Sequence, residues 1–294
     1  MDIYNASLTF GVLKRFFDIF KEPVNVLLSM ALLGADTSNF FQNRHMVKKL
    51  ILDSGAWSVA RGRSTLKLNE YIMYLKLNHS RFDAYFNFDT DFSDKGFKNN
   101  IISQTEMEEQ GLRPIPVVHN LFDDEIDYYL QDGHKNLALG SSQITNKDNL
   151  EYATKRIKAL PGRTIHWFGG SKESWLIDIP VDSCDTSSWA KTGAYGSIKY
   201  FNKKKTGDDR TDIVYVGDRM KNIEKNTYHY VSYPWRHDLD EYLKNTFGFK
   251  NPLGELTGYD DAVNKQIVNL HYYVELEKRV VWERKKRLVK NAQQ

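Results

Sequence analysis

Three aspartates of this 294-residue sequence each follow a short apolar run. Asp53 follows KKLIL, Asp89 follows AYFNF, and Asp185 ends PVDSCD. If these runs are strands of one parallel barrel, the carboxylates meet at its mouth, because the loops after barrel strands converge at the C-terminal face. Burial and like-charge repulsion disfavour such a cluster unless a substrate or a reaction uses it. The pattern therefore indicates a candidate active site, although each Asp taken singly is more simply a cap of the next helix.

Two carboxylates that face one sugar carbon have a defined chemical use. One attacks the anomeric carbon to form a covalent glycosyl intermediate, while the other carries the proton of the leaving group. Metal binding is the competing use, and Asp89, Asp91 and Asp94 would suit a hard cation. That stretch lacks the glycine and terminal glutamate of a calcium loop, so we predict no metal.

The stretch from Val181 to Asp185 places a second carboxylate, Asp182, three residues before Asp185. Residues at i and i+3 of an extended strand point to opposite faces, so only one of the two can enter the site. We assign Asp185 to the site, at the end of the seventh predicted strand, and give Asp182 a supporting role.

The elements that would position these residues alternate along the chain. Seven apolar runs, each ending in small or polar residues, are separated by segments of helical composition, which favours a parallel sheet. The runs cover residues 24–36, 48–58, 84–92, 113–120, 136–142, 164–170 and 180–189. With an eighth strand expected near 196–200 or 212–216, the fold class is α/β, a (β/α)8 TIM barrel rather than an open doubly wound sheet.

We expect the barrel to occupy residues 1–250 and a basic C-terminal helical extension, packed on it, to occupy residues 251–294. From Val263 the apolar residues follow helical spacing. The cations there outnumber the acids and give a basic outer face: Lys278, Arg279, Arg284, Lys285, Lys286, Arg287 and Lys290. A second basic group in a predicted loop is suited to phosphate contacts; it comprises Lys203, Lys204, Lys205 and Arg210.

Composition limits the class of protein. The formal net charge is +3, a value that neither requires nor excludes a nucleic-acid partner. Cys184 is the only cysteine, which excludes an internal disulfide and a multi-cysteine zinc site. The longest apolar run, from Val24, is shorter than the roughly 20 residues of a membrane helix, and no signal peptide is evident. We expect a cytoplasmic protein with no membrane partner; the oligomeric state is open.

Five motifs, taken in order, resemble the tRNA-guanine transglycosylase superfamily, whose (β/α)8 barrels exchange guanine for a 7-deazaguanine. The pattern is closest to the phage-type DNA-guanine transglycosylases called DpdA. Asp53-Ser54-Gly55-Ala56-Trp57 resembles the family's Asp-Ser-Gly-Gly-Phe, and Phe88-Asp89 resembles its Phe-Asp. Residues 117–120 stand where the family has Val-Gln-Gly, residues 140–142 stand for its Gly-Gly-Leu turn, and residues 181–185 resemble Val-Asp-Met-Phe-Asp.

The resemblance implies a role for each matching residue. Asp185 would be the nucleophile and Asp53 the general acid/base, with Asp89 reading the guanine edge. The base carbonyl would face His119 and the turn at Gly140 and Ser141. We add Trp57 as a stacking wall and the turn Gly169-Gly170, with His166 and Trp167, as a closure of the pocket; His166 and Trp167 could equally pack against a helix. No cofactor is implied.

The departures from the family favour DNA over tRNA. One cysteine cannot supply the structural zinc site of the tRNA enzymes, so no zinc subdomain is expected. Thr186-Ser187-Ser188-Trp189 is closer to the Asp-Ser-Thr-Ser-Trp of the DNA branch than to the Pro-Thr-Arg of the tRNA enzymes. The expected function is a DNA-guanine transglycosylase that uses a covalent Asp-glycosyl intermediate, with DNA and a free 7-deazaguanine as partners. The alternatives are a tRNA-guanine transglycosylase, a noncatalytic nucleic-acid-binding subunit and an unrelated barrel hydrolase acting on sugars.

Overall fold

Eight parallel strands form one sheet in the computed structural model, which describes residues 1–33, 37–93, 95–207, 210–217 and 226–292. The strands are β1 (Asp2–Ala6), β2 (Val24–Ser29), β3 (Val47–Asp53), β4 (Ala84–Tyr85), β5 (Val117–Val118), β6 (Asn136–Leu139), β7 (Thr164–Trp167) and β8 (Ser183–Thr186). They lie in the order β4-β3-β2-β1-β8-β7-β6-β5. A parallel bridge between Phe86 and Ile115 joins the two outer strands. The predicted (β/α)8 barrel is therefore confirmed.

The prediction of the eighth strand was wrong. The missing barrel strand is the N-terminal β1, which pairs with both β2 and β8. The seventh predicted strand is therefore β8. The segments proposed for the eighth strand instead form β9 (Ser197–Phe201) and β10 (Thr211–Tyr215), which with β11 (Thr227–His229) make a separate three-stranded sheet.

Helices follow the barrel strands and cover the outside of the sheet. They are α1 (Phe10–Phe20), α2 (Met30–Leu33), α3 (Ser38–Gln42), α4 (Ala56–Ala60), α5 (Leu68–Asn78), α6 (Gly96–Glu109), α7 (Glu125–Gln131), α8 (Lys147–Lys158), α9 (Glu173–Asp178) and α10 (Ser188–Ala194). After the small sheet come α11 (Arg236–Phe247), α12 (Pro252–Thr257) and α13 (Asp261–Ala292). Short 3-10 turns cover Arg44–Met46, His79–Arg81 and Tyr230–Ser232.

The inward-facing side chains fill the barrel, so that it is a packed core rather than a pore. Apolar residues from six strands and their extensions form this inner cluster: Tyr4, Ala6, Leu27, Ile51, Phe86, Val117 and Ala138. A much larger apolar cluster lies between the strands and the helices. The polar residues considered below stand at the upper edge of the inner cluster, where the strands end.

Helix α13 confirms the predicted C-terminal helix and crosses the N-terminal end of the barrel. Glu277 accepts hydrogen bonds from the backbone of Ile3 and the side chains of Asn25 and Lys48, at the starts of β1, β2 and β3. Arg284 donates to three carbonyls just before β8. Because the three aspartates lie at the opposite ends of the strands, α13 does not contact them. Within the described residues, no helix has both the length and the apolarity needed to cross a membrane.

Candidate functional site

Asp53 ends β3 and faces the interior beside Ser29, its register partner in β2. The Ser29 hydroxyl and the Gly55 backbone N–H both bond to its carboxylate. Gly55 has φ +78°, and a Cβ there would lie 2.3 Å from the Cβ of Ala31. Only glycine combines that backbone conformation with so close an approach, so the Asp-Ser-Gly motif presents an N–H to the carboxylate.

The surroundings of Asp53 change its pKa. Loss of hydration on burial, with the nearby charges of Asp89 and Asp185, raises the pKa of Asp53 to about 7. The bonds from Ser29 and Gly55 favour the charged form and limit the rise. A carboxyl group that is half protonated near neutral pH is suited to give and take a proton during a reaction.

Asp185 is the residue before the last of β8 and is also directed inward, with 8% of its surface exposed. Its Oδ1 accepts a hydrogen bond from the Gly169 backbone N–H at 3.0 Å and lies 3.4 Å from His166 Nε2. The other ring nitrogen of His166 lies 2.9 Å from the Ser183 hydroxyl oxygen, which fixes the imidazole. Asp185 is therefore held in one orientation with its second oxygen, Oδ2, left for other contacts.

Asp182 points to the other face of the strand, as the i, i+3 spacing predicts. Its Oδ2 accepts from Lys158 Nζ at 2.6 Å and from the Ile165 backbone N–H at 2.8 Å. These bonds anchor the start of β8 to β7 and α8. The support that Asp182 gives is structural and lies away from the mouth.

Asp89 and His119 form a buried pair. His119 Nε2 lies 2.7 Å from Asp89 Oδ2. Burial opposes the imidazolium, but the hydrogen bond and charge of Asp89 outweigh burial and raise the pKa of His119. Burial likewise raises the pKa of Asp89, against the effect of His119. Both groups therefore hold a proton more readily than the free side chains do.

Glu125, the first residue of α7, is a site-supporting residue that the sequence analysis missed. It is 1% exposed, and its Oε2 accepts the backbone N–H groups of His119 and Asn120 at 3.1 and 2.7 Å. Burial raises the pKa of Glu125 to about 7, although those two bonds favour the charged form. An acidic residue in the first turn of a helix that follows a strand end was the available signal.

Aromatic side chains form one wall of the mouth. Trp57 is 52% exposed and meets Phe92 edge to face, with ring centroids 5.2 Å apart. Phe92 in turn meets the His119 ring at 4.6 Å. The Arg61 guanidinium lies over the indole at 4.3 Å. Phe92 therefore lies between Trp57 and His119, and it is a second residue that the sequence analysis missed.

The predicted glycine and serine positions have distinct surroundings. Gly140 leaves no room for a side chain, since a Cβ would lie 2.8 Å from Val117 Cγ1. The Ser141 hydroxyl accepts the Gln143 backbone N–H at 3.1 Å, a bond within its own loop. Gly169 has φ +69° and turns its N–H toward Asp185, whereas a Cβ on Gly170 would collide with the Trp167 ring.

His166 and Trp167 face opposite sides of β7. Trp167 stacks on Trp175 of α9, with the rings 5.8 Å apart and 15° from parallel, so it packs against a helix. His166 enters the barrel and contacts Phe86 and Phe168 at 4.9 and 4.8 Å. These rings form the floor below Asp185.

The predicted phosphate-binding residues are not brought to the mouth. Lys205 is held by Asp212, a fully buried carboxylate, at 2.6 Å, and Lys204 lies 3.4 Å from Asp238. Lys203 is exposed. Arg210 stacks on Phe201 and lines a cavity of about 420 Å³ with Arg279 and Arg287 of α13, which crosses the opposite end of the barrel.

The mouth does not resemble a compact metal site. Among the described residues, one group of three His, Cys, Asp or Glu side chains brings all its ligand atoms within 4.8 Å of each other, and that group lies elsewhere, at Glu108, Asp132 and His134. Asp94, from the alternative calcium loop, lies outside the described residues. Asp91 is engaged by the Ser93 backbone and by Asn99.

Comparison with known proteins identifies no family. No family model matches the sequence, and no curated protein matches it. A designed, cube-shaped, highly porous protein cage made by fusing symmetric oligomeric domains aligns over 99% of this chain and 77% of its own, with 8% identity and a TM-score of 0.47. The carboxyl transferase domain of Rhizobium etli pyruvate carboxylase, with 3-bromopyruvate, aligns over 63% of this chain and 39% of its own, with 11% identity and a TM-score of 0.41.

Proposed function

We propose that the protein is a DNA-guanine transglycosylase, which exchanges guanine in DNA for a 7-deazaguanine base. The observation that carries the proposal is the pairing of unlike carboxyl groups at one barrel mouth. Asp53 has a pKa of about 7, while Asp185 is fixed by the Gly169 N–H with one oxygen left over. Such a pair serves a proton carrier and a nucleophile, the two roles of a retaining displacement at an anomeric carbon.

The exchange divides into two balanced steps. In the first, Asp185 Oδ2 forms a bond to C1′ as the C1′–N9 bond breaks, and protonated Asp53 gives its proton to the departing guanine. In the second, the incoming base gives its N9 proton to Asp53, and N9 forms a bond to C1′ as the Asp185 ester breaks. Asp53 ends each cycle protonated and Asp185 ends it ionised, so no cofactor is needed.

The Asp89–His119 pair supports recognition of guanine. Guanine presents N–H donors at N1 and N2, which an aspartate oxygen accepts, and a carbonyl at C6, which an N–H donor satisfies. His119 Nε2 and Asp89 Oδ2 bond to each other, so Asp89 Oδ1 would supply the acceptor and the Nδ1–H of a protonated His119 the donor. Trp57 offers a face for stacking. The target base reaches this depth only when it leaves the helix stack, at a cost of a few kcal/mol.

The direct test is base exchange by the purified full-length protein. Labelled guanine or a labelled 7-deazaguanine is offered in parallel with duplex DNA, single-stranded DNA and unmodified tRNA. Label in DNA alone supports the proposal. Label in tRNA alone assigns the chemistry to the other substrate, and release of sugar from oligosaccharides without nucleic acid would indicate a hydrolase.

Binding without exchange is the remaining outcome. If folded protein retains DNA on a filter but transfers no label at any pH from 5 to 9, the noncatalytic subunit is the better description. The carboxyl pair argues against that result, because binding alone does not need a buried carboxyl group whose pKa lies near neutral pH.

A further inference from the structure

Three side chains of metal-binding type meet far from the mouth. Glu108 lies near the C-terminal end of α6, and Asp132 and His134 lie in the turn between α7 and β6. One ligand atom of each lies within 4.8 Å of the other two. All three line a cavity of about 370 Å³. These positions precede strands β5 and β6, so the group stands at the N-terminal end of the barrel.

The distances suit a tetrahedral ion. His134 Nε2 lies 3.1 Å from Asp132 Oδ2 and 3.7 Å from Glu108 Oε1. Nitrogen and oxygen ligands about 2.0 to 2.2 Å from Zn²⁺ in a tetrahedron lie about 3.3 to 3.6 Å from one another. Two of the three separations thus lie within a few tenths of an ångström of the tetrahedral range, and all three side chains face one cavity that has room for a fourth ligand.

The histidine is fixed before any ion binds. Its ring meets Tyr129 edge to face at 5.5 Å, and its backbone N–H donates to the Tyr129 carbonyl at 3.0 Å. Gly133, between the two ligands, has φ +92°, which glycine adopts without strain. The turn thus places Asp132 and His134 side by side toward α6.

The buried side chain of Gln104 holds Glu108 in its orientation. Gln104 is 3% exposed, and its Nε2 donates to Glu108 Oε1 at 2.7 Å and to the Pro114 carbonyl at 3.1 Å. The buried Gln104 Oε1 has no hydrogen-bond partner in the part of the chain described. Metal-binding side chains are commonly held by such outer contacts, here from the Gln104 amide to Glu108 Oε1.

We propose that Glu108, Asp132 and His134 bind one Zn²⁺ ion, with water as the fourth ligand. The site is independent of the proposed base exchange, since it shares no residue with the mouth. No spacing motif indicates this site, because Glu108 is distant along the chain from the Asp132-Gly133-His134 turn. Without an ion, the same atoms would only be close polar contacts between the imidazole and two carboxylates.

The test uses metal-free, full-length protein. Zn²⁺ is titrated by calorimetry, and Co²⁺, which takes the same ligands, is titrated by visible absorption, whose intensity reports four-coordinate geometry. We expect one equivalent of either ion and an intense four-coordinate Co²⁺ spectrum. His134→Gln should abolish both signals, and Gln104→Leu should weaken Zn²⁺ binding about 10-fold.

His237→Gln is the matched control. His237 lies 3.6 Å from Glu241 on an exposed helix face and has a single carboxylate neighbour, so its loss should leave one equivalent bound. Asp132→Asn, at a half-exposed side chain, repeats the test if His134→Gln fails to fold. Absence of stoichiometric binding by the wild type, or binding that survives both ligand substitutions, would overturn the site.

Discussion

The backbone N–H of Gly169 donates to Asp185 Oδ1 at 3.0 Å, which links the turn after β7 to the carboxylate at the end of β8. The bond fixes one oxygen and leaves the other available. Asp185→Asn can keep this bond through its amide oxygen. The substitution therefore removes the proposed nucleophile and retains the hydrogen bond from Gly169.

Asp185→Asn should therefore fold normally and lose base exchange by at least about 1,000-fold, because the amide cannot form the glycosyl ester and the proposal assigns Asp53 and Asp89 to proton transfer and base recognition. Exchange of labelled guanine and the thermal unfolding midpoint are measured together. Asp182→Asn is the matched control. It makes the same change at the residue just before β8, whose side chain points away from the mouth, and it should retain exchange. Full activity in Asp185→Asn would remove this residue from the mechanism.

The pH dependence of exchange should follow Asp53. Removal of guanine needs a protonated Asp53, so that step slows as pH rises through about 7, while entry of the new base needs the ionised form and slows below that pH. Single-turnover release of guanine, measured from pH 5 to 9, isolates the first step. A rate that is flat across pH 7 would contradict the assignment of Asp53 as proton donor.

The same carboxyl group makes a prediction for stability. The folded pKa of Asp53 lies above the unfolded value of 3.8, so the folded protein binds the proton more tightly and loses stability as pH rises through about 7. Asp53→Asn should therefore be more stable than the wild type at pH 8, by up to about 4 kcal/mol, with the gain absent at pH 4. Urea unfolding at the two pH values gives the difference, and an equal gain at both would rule out titration of Asp53 as its cause.

Much of the architecture follows from pattern alone. Alternating apolar runs and helical segments predicted a parallel barrel because each run is short, ends in polar residues and precedes a helix. We did not predict the first strand because its apolar run is short and includes Asn5, whose side chain is buried and donates a hydrogen bond to the Asn25 carbonyl. A sequence does not distinguish a buried asparagine whose side chain is hydrogen-bonded from an exposed one.

The sequence predicts the carboxylates of the site but not the residues that hold them in place. A strand end can be located from periodicity, which places Asp53, Asp89 and Asp185 at one rim. Their partners depend on which strand ends are neighbours in space, so Ser29 has no local signal and Glu125 has only the general one of an acidic residue in the first turn of a helix. The charged residues of the sequence predicted a phosphate-binding surface least well. Lys205 pairs with Asp212, and this contact forms only when the small sheet folds.

Glu125 separates the contribution of a charge from that of a hydrogen-bond acceptor. Glu125→Gln keeps an oxygen for the His119 and Asn120 N–H groups, whereas Glu125→Ala leaves two buried donors unpaired. Each unpaired donor costs about 1 to 3 kcal/mol, so the alanine variant should be less stable than the glutamine variant by about 2 to 6 kcal/mol at pH 6. Urea unfolding measures both, and equal stability would mean that the two N–H groups find other partners.

The turn at Gly55 offers the sharpest test of how the mouth is built. Gly55→Ala meets both a positive φ and the Cβ of Ala31 at 2.3 Å, so it should cost more than the positive φ alone. Gly62→Ala is the matched control, because Gly62 has φ +66° with open space where the Cβ would stand, and it should cost about 1 kcal/mol. If the two variants unfold at the same urea concentration, the close approach of Ala31 to this turn is wrong. If Gly55→Ala alone is destabilised and also loses the exchange activity, the N–H that bonds to Asp53 is required at its present position.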